Sequence, residues 1–131
     1  MGEYPKFFKG VAFPQDAASL NQFFRPMTPN TGAFDTGVIS DGLKALFERV
    51  GDSVLVTHSQ GGIAGWFASI KASDKIKGIA AIEPGNFPFP ENEVPPTITS
   101  AFGDIAPAKV SAADFEKLTK MPIIIYFGDN I

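Results

Sequence analysis

Cysteine is absent from this 131-residue sequence, and histidine occurs once. The absence of cysteine excludes disulfides, thiolate metal sites and a cysteine nucleophile together. No apolar run approaches the ~20 residues that would cross a bilayer, so no membrane span is expected. The 11 basic residues are fewer than the 14 acidic ones and are scattered, which argues against a nucleic-acid partner. None of these features indicates a compartment.

Helical and strand-like patterns alternate along much of the chain. Four helices are predicted: Asp16–Phe24, a helix capped by Ser40 that ends at Gly51, a helix from Gly62, and a short helix opened by Ser111. Three apolar runs predict strands buried on both faces: Val54–Val56, Ile79–Ile82 and Ile123–Phe127. This alternation is typical of an α/β fold with a mainly parallel sheet and flanking helices.

The sequence predicts one partial domain over residues 1–131. Its segments are a loop-rich stretch (1–38), a helix-strand-turn-helix-strand unit (39–85), a proline-rich excursion (86–110) and a final helix and strand (111–131). Residues 84–110 hold six of the eleven prolines, which lack a backbone donor. We therefore expect an irregular, lid-like excursion there.

The segment Thr57-His58-Ser59-Gln60-Gly61 stands between a predicted strand and a predicted helix. A serine hydroxyl is a poor nucleophile, and a sharp strand-to-helix turn exposes it beside backbone donors. Small residues are needed around such a turn, and Gly61 and Gly62 meet that need. Ser59 is therefore the predicted nucleophile, with the N–H of Gln60 as an oxyanion donor. The alternative is that Ser59 is only a helix N-cap.

On this motif the sequence resembles the α/β-hydrolase family, in particular serine esterases and lipases. The resemblance covers residues from about Ser40 to Asn130, and Thr57 departs from the glycine usual at its position. It implies a partial α/β-hydrolase fold, a chain order of nucleophile, acid and histidine, and chemistry that needs no cofactor or metal.

Two acids compete for the second role. Glu83 ends the second predicted strand, as in a subset of bacterial esterases whose triad acid is an early glutamate. Asp129 follows the third strand, where most of the family places its acid. Glu83 is preferred because a carboxylate at the end of a buried strand is costly without a partner, whereas Asp129 is compatible with an ordinary turn.

The single histidine, His58, precedes Ser59 and so points away from its hydroxyl. We interpret it as a packed or hydrogen-bonded residue that supports the turn. The resemblance implies a histidine base after the third strand, and none follows Ile82. The sequence therefore predicts a fragment of a longer protein, nearly inactive alone and able to oligomerise.

The favoured function is hydrolysis of small-molecule carboxylic esters through an acyl-enzyme at Ser59. Aromatic residues such as Phe7, Phe87 and Phe89 are candidates for an apolar acyl pocket, although core packing is the stronger expectation for most of them. The alternatives are a non-catalytic α/β-hydrolase-like binding domain and another acyl-transfer enzyme, such as a thioesterase, peptidase or acyltransferase.

Overall fold

A computed structural model describes residues 8–27, 32–100 and 103–128. The chain divides into two compact units, Met1–Ala33 and Phe34–Ile131. In the first unit, helix α1 spans Ala17–Phe24, and the Asp16 side chain caps it by accepting the Ser19 N–H at 2.9 Å. The predicted first helix is confirmed.

The second unit contains three helices and seven strands in the described residues. They are α2 (Thr36–Val50), β1 (Ser53–His58), α3 (Gln60–Lys71), β2 (Ile76–Ile82), β3 (Pro88–Pro90), β4 (Ile98–Ser100), β5 (Gly103–Ile105), β6 (Ala108–Val110), α4 (Ala112–Thr119) and β7 (Ile123–Tyr126). Strands and helices alternate as the sequence pattern indicates, and the α/β fold class is confirmed. None of the helices in the described ranges has the length and apolar character needed to cross a membrane.

The main sheet has the order β1-β2-β7, and both of its pairings are parallel. In the register, His58 lies beside Ile82, and Ile82 lies beside Tyr126. The carboxyl ends of the three strands are therefore level with one another. The residues that follow these strands leave the sheet at one common edge.

The core lies on one face of this sheet. Its buried members come mainly from α2, α3, α4 and β2, and the largest fully buried apolar side chains include Trp66, Ile76 and Leu118, each 1% exposed. The alternate residues of β1 are on the other face, where Val54 and Val56 are 67% and 65% exposed. The prediction of strands buried on both faces is wrong, because in the described structure helices cover only one face.

Helix α2 begins earlier than the sequence pattern predicts. The Asp35 side chain caps it by accepting the Val38 N–H at 3.0 Å. Ser40 is not the cap, since it lies fully buried inside the helix and donates its hydroxyl to the Gly37 carbonyl at 3.0 Å. Aspartate and serine are both common N-cap residues, and capping by Asp35 adds about one turn to the start of the helix. The predicted end is confirmed, with Gly51 at φ 83°.

The proline-rich segment is more regular than predicted. β3 pairs with β6 in parallel, and β4 pairs with β5 as an antiparallel hairpin. Pro88 and Pro90 are tolerated in β3 because a two-stranded sheet consists only of edge strands, where a missing N–H breaks no second ladder. The lid-like role of this segment remains a prediction.

Candidate active site

Ser59 occupies the turn between β1 and α3 in a strained conformation, with φ 51° and ψ −128°. Three backbone hydrogen bonds fix it: its N–H donates to Ile82 at 3.1 Å, and its carbonyl accepts from Gly62 at 2.9 Å and Gly85 at 2.8 Å. The side chain is exposed and makes no capping hydrogen bond to α3. The helix therefore uses the backbone of Ser59 at its start and leaves the hydroxyl uncommitted.

Glu83 has the same kind of conformation at the end of the neighbouring strand, with φ 42°. Among the described residues, Ser59 and Glu83 are the two non-glycine residues with positive φ. Such conformations cost of order 1–3 kcal/mol each and are concentrated at functional sites. The register of β1 and β2 places these two residues side by side at the carboxyl edge of the sheet.

The Glu83 carboxylate is held from the third strand end. Its Oε1 accepts the Gly128 N–H at 3.1 Å, and its backbone N–H donates to the Tyr126 carbonyl at 2.7 Å. No described residue donates to Oε2. The contact with Gly128 joins residues 45 positions apart, and no sequence pattern signals it.

Close glycine contacts hold the turn after Glu83 against the first turn of α3. A Cβ on Gly62 would lie 2.6 Å from Pro84 Cβ, and a Cβ on Gly85 would lie 2.8 Å from Ile63 Cγ1. The indole N–H of Trp66 also donates to the Gly85 carbonyl at 3.3 Å. These contacts fix the positions of Ser59 and Glu83 relative to each other.

Thr57, near the end of β1, fits because the residue of α3 opposite it is Gly65. A Cβ on Gly65 would lie 2.6 Å from Thr57 Cγ2, so the γ-methyl occupies the space that a side chain there would need. The Thr57 hydroxyl oxygen is buried without a hydrogen-bond partner among the described residues. Threonine is therefore accommodated because the facing residue of α3, eight positions later in the chain, is glycine.

Gln60 is the first residue of α3 and is exposed. The N–H groups of a first helical turn have no intrahelical acceptor, and they carry the positive end of the helix dipole. The N–H of Gln60 therefore belongs to the part of the helix that favours an anion next to Ser59.

His58 does not support the turn by packing. It is exposed and follows Val54 and Val56 on the open face of the sheet by strand alternation. Its side chain makes no hydrogen bond within the described ranges, so the packed or hydrogen-bonded interpretation is wrong. Asp129, the alternative acid, lies outside the described residues.

The aromatic residues after Glu83 pack inward. Phe87 is partly buried against the core, with its ring centroid 5.0 Å from that of Trp66 and 6.2 Å from that of Phe115. Phe89 follows at 5.6 Å from Phe87. Core packing is thus confirmed for Phe87, while Phe7 lies outside the described residues. No group of acidic or histidine side chains suited to a metal ion occurs in the portion that the structure describes.

No family model matches the chain. A stretch of 45 residues is 42% identical to the probable secreted lipase phiG of Fungal sp. (strain ATCC 74256). That stretch is 34% of this chain and 12% of the lipase, so the chain matches only a small part of that relative's length. At a coarse level, the similarity supports a lipase-like hydrolase.

Proposed function

We propose that this chain carries the nucleophile and the acid of a serine hydrolase that cleaves carboxylic esters through an acyl-enzyme at Ser59. The observation that supports the proposal is that two residues with strained backbones lie next to each other at one edge of the sheet. Ser59 and Glu83 are the two described non-glycine residues with positive φ, and they follow hydrogen-bonded neighbouring strands at the same edge. Strained residues persist where the surrounding structure fixes them, and they are concentrated at active sites.

Ser59 is the nucleophile in this proposal. Its hydroxyl is exposed and does not cap α3, so it is available to attack a carbonyl carbon. The Gln60 N–H donates to the oxyanion that forms, an interaction typically worth about 3–4 kcal/mol in such sites. A histidine base takes the serine proton and returns it to the leaving alcohol, and water then hydrolyses the acyl-enzyme.

Glu83 is the acid that orients this histidine. Gly128 holds one carboxylate oxygen at 3.1 Å, which leaves Oε2 to accept an imidazole N–H. His58 is unsuited to be the base because it is exposed on the open face of the sheet and makes no hydrogen bond to Ser59 or Glu83. The base therefore comes from outside these 131 residues, and the chain alone turns over esters at a small fraction of the complete rate.

Fluorophosphonate labelling tests the proposal. The test needs a form of the protein that includes the proposed base histidine, which is called the histidine-containing form below. We expect this form to be labelled at Ser59, as mapped by peptide mass spectrometry, and Ser59→Ala to abolish the labelling. Ser111→Ala is the matched control, since Ser111 is also exposed but its hydroxyl is committed to capping α4. Labelling that survives Ser59→Ala would refute the nucleophile assignment.

The second candidate is a non-catalytic binding domain of the same fold. It is favoured by one observation: no described side chain provides Ser59 with a base. This candidate predicts no labelling of Ser59 in any form of the protein, including the histidine-containing one. If labelling occurs, rates on matched oxygen esters, thioesters and amides distinguish an esterase from another acyl-transfer enzyme.

A further inference from the structure

Gly128 lacks a side chain at a position where the backbone does not require glycine. Its φ is not among the positive values, so an alanine would fit the local conformation. A side chain at this position would instead meet the Glu83 carboxylate. A Cβ on Gly128 would lie 2.6 Å from Glu83 Oε1, closer than real Cβ contacts come.

The same short segment also fixes the backbone of Glu83. The Tyr126 carbonyl accepts the Glu83 N–H at 2.7 Å, and two residues later the Gly128 N–H donates to the Glu83 side chain at 3.1 Å. Glu83 is exposed, and no other described residue restrains its carboxylate. A free glutamate side chain samples several rotamers, so the Gly128 contact selects among them.

We propose that Gly128 is the positioning residue for the Glu83 carboxylate, and this rests on the proposed role of Glu83 as the acid. Its N–H holds Oε1, and its missing side chain allows that oxygen to approach. Oε2 is thereby presented in one direction to an imidazole N–H. A side chain at residue 128 displaces the carboxylate and misaligns the base, whereas the fold tolerates it.

The contact itself can be tested in the 131-residue chain without any catalysis. We expect the Gly128 amide proton to exchange slowly with solvent in NMR spectra, because Glu83 Oε1 accepts it, and Glu83→Ala to speed this exchange. Asp129→Asn, which changes the adjacent acid, should leave the slow exchange in place. A Gly128 amide whose exchange rate is unchanged in Glu83→Ala, or rises in Asp129→Asn, would overturn the proposal.

The consequence for catalysis is tested by labelling kinetics in a histidine-containing form. Gly128→Ala should slow Ser59 labelling at saturating fluorophosphonate by about 10²-fold, the effect of misplacing a catalytic group by about 1 Å. The probe concentration at half-maximal rate should not change, because Gly128 does not bind the probe. Gly42→Ala is the matched control, since that glycine faces open space in α2.

Two outcomes separate this proposal from the proposed function. If Ser59 is labelled and Gly128→Ala behaves like Gly42→Ala, the positioning role is wrong and the hydrolase assignment survives. If the Ser59→Ala variant is labelled as strongly as the wild-type protein, the hydrolase assignment itself fails, and the positioning role fails with it.

Discussion

The carboxyl edge of the sheet and the helix-covered face differ in solvent exposure and in backbone conformation. At the edge, Ser59 and Glu83 are exposed and adopt positive φ. On the covered face, Trp66, Ile76 and Leu118 are each 1% exposed. The two regions meet where the Pro84 turn packs on Gly62. The comparison shows how an exposed edge holds strained residues: the buried layer beneath it supplies the contacts that fix them.

The largest expected effect is confined to the edge. In a histidine-containing form, Glu83→Gln should reduce esterase activity by about 10⁴-fold, as loss of the orienting acid does in a serine triad. Its free energy of unfolding should change little, because the side chain is exposed and makes one described hydrogen bond. Activity and urea denaturation of the same samples measure the two effects.

Asp129→Asn is the comparison variant for this experiment. It carries the same type of change at the competing acid and should retain most of the activity. If Asp129→Asn causes the larger loss, the assignment of Glu83 as the acid is wrong, and the strain at Glu83 needs another explanation.

On the covered face, substitutions should instead change the free energy of unfolding. Trp66→Ala should lower the free energy of unfolding by about 3–5 kcal/mol, since it leaves a large cavity in the core. Trp66→Phe retains an aromatic ring but loses the hydrogen bond to the Gly85 carbonyl, so it should cost less. Urea denaturation followed by circular dichroism measures both variants. Equal stability of Trp66→Ala and the wild type would contradict the burial of this residue.

Sequence patterns predict the positions of the helices and strands better than the burial of their side chains. The strand runs and the Gly51 helix end follow from local apolar spacing and capping chemistry. Asp35 and Ser40 are both good caps, so local preference alone cannot select between them. Burial of Val54 and Val56 depends on which faces helices cover, and an apolar run is compatible with either arrangement.

The candidate site shows the same division. The motif around Ser59 is local, and so the serine is visible in the sequence and the helix after it is predicted within two residues of its start at Gln60. The contact of Gly128 with Glu83 spans 45 residues and depends on strand register, which no local pattern encodes. Likewise, the space that Gly65 leaves for Thr57 becomes visible only when α3 is packed on the sheet.

A smaller effect tests that packing where the two regions join. Gly65→Ala should destabilise the protein by about 1–3 kcal/mol, because its Cβ would lie 2.6 Å from Thr57 Cγ2. Thr57→Ala removes this methyl group together with a buried hydroxyl that has no partner in the described residues. The double variant should therefore be more stable than Gly65→Ala alone. Additive effects in urea denaturation would show that the two residues do not compete for the same space.

The smallest effect is expected at the exposed start of α4. Ser111 accepts the Asp114 N–H at 3.1 Å, so Ser111→Ala should cost about 1 kcal/mol, as loss of an N-cap does. Lys117, and after it Ser111, hold the pKa of Asp114 below its usual value. The stabilisation from this carboxylate is therefore present above its unfolded pKa of about 3.9 and is lost as the pH falls through the lowered folded pKa.

The cost of Ser111→Ala should consequently be greatest near neutral pH and smaller in acid. Urea denaturation at pH 7 and at about pH 3 measures the difference. Thr119→Ala is the control, since its hydroxyl donates to the Glu116 carbonyl at the other end of the same helix and should matter within about 0.5 kcal/mol at both pH values. A pH-independent cost of Ser111→Ala would mean that its hydroxyl stabilises only the backbone of α4 and not the Asp114 carboxylate. Ester hydrolysis should be unchanged in both variants, because α4 packs under the covered face and contributes no group to the carboxyl edge.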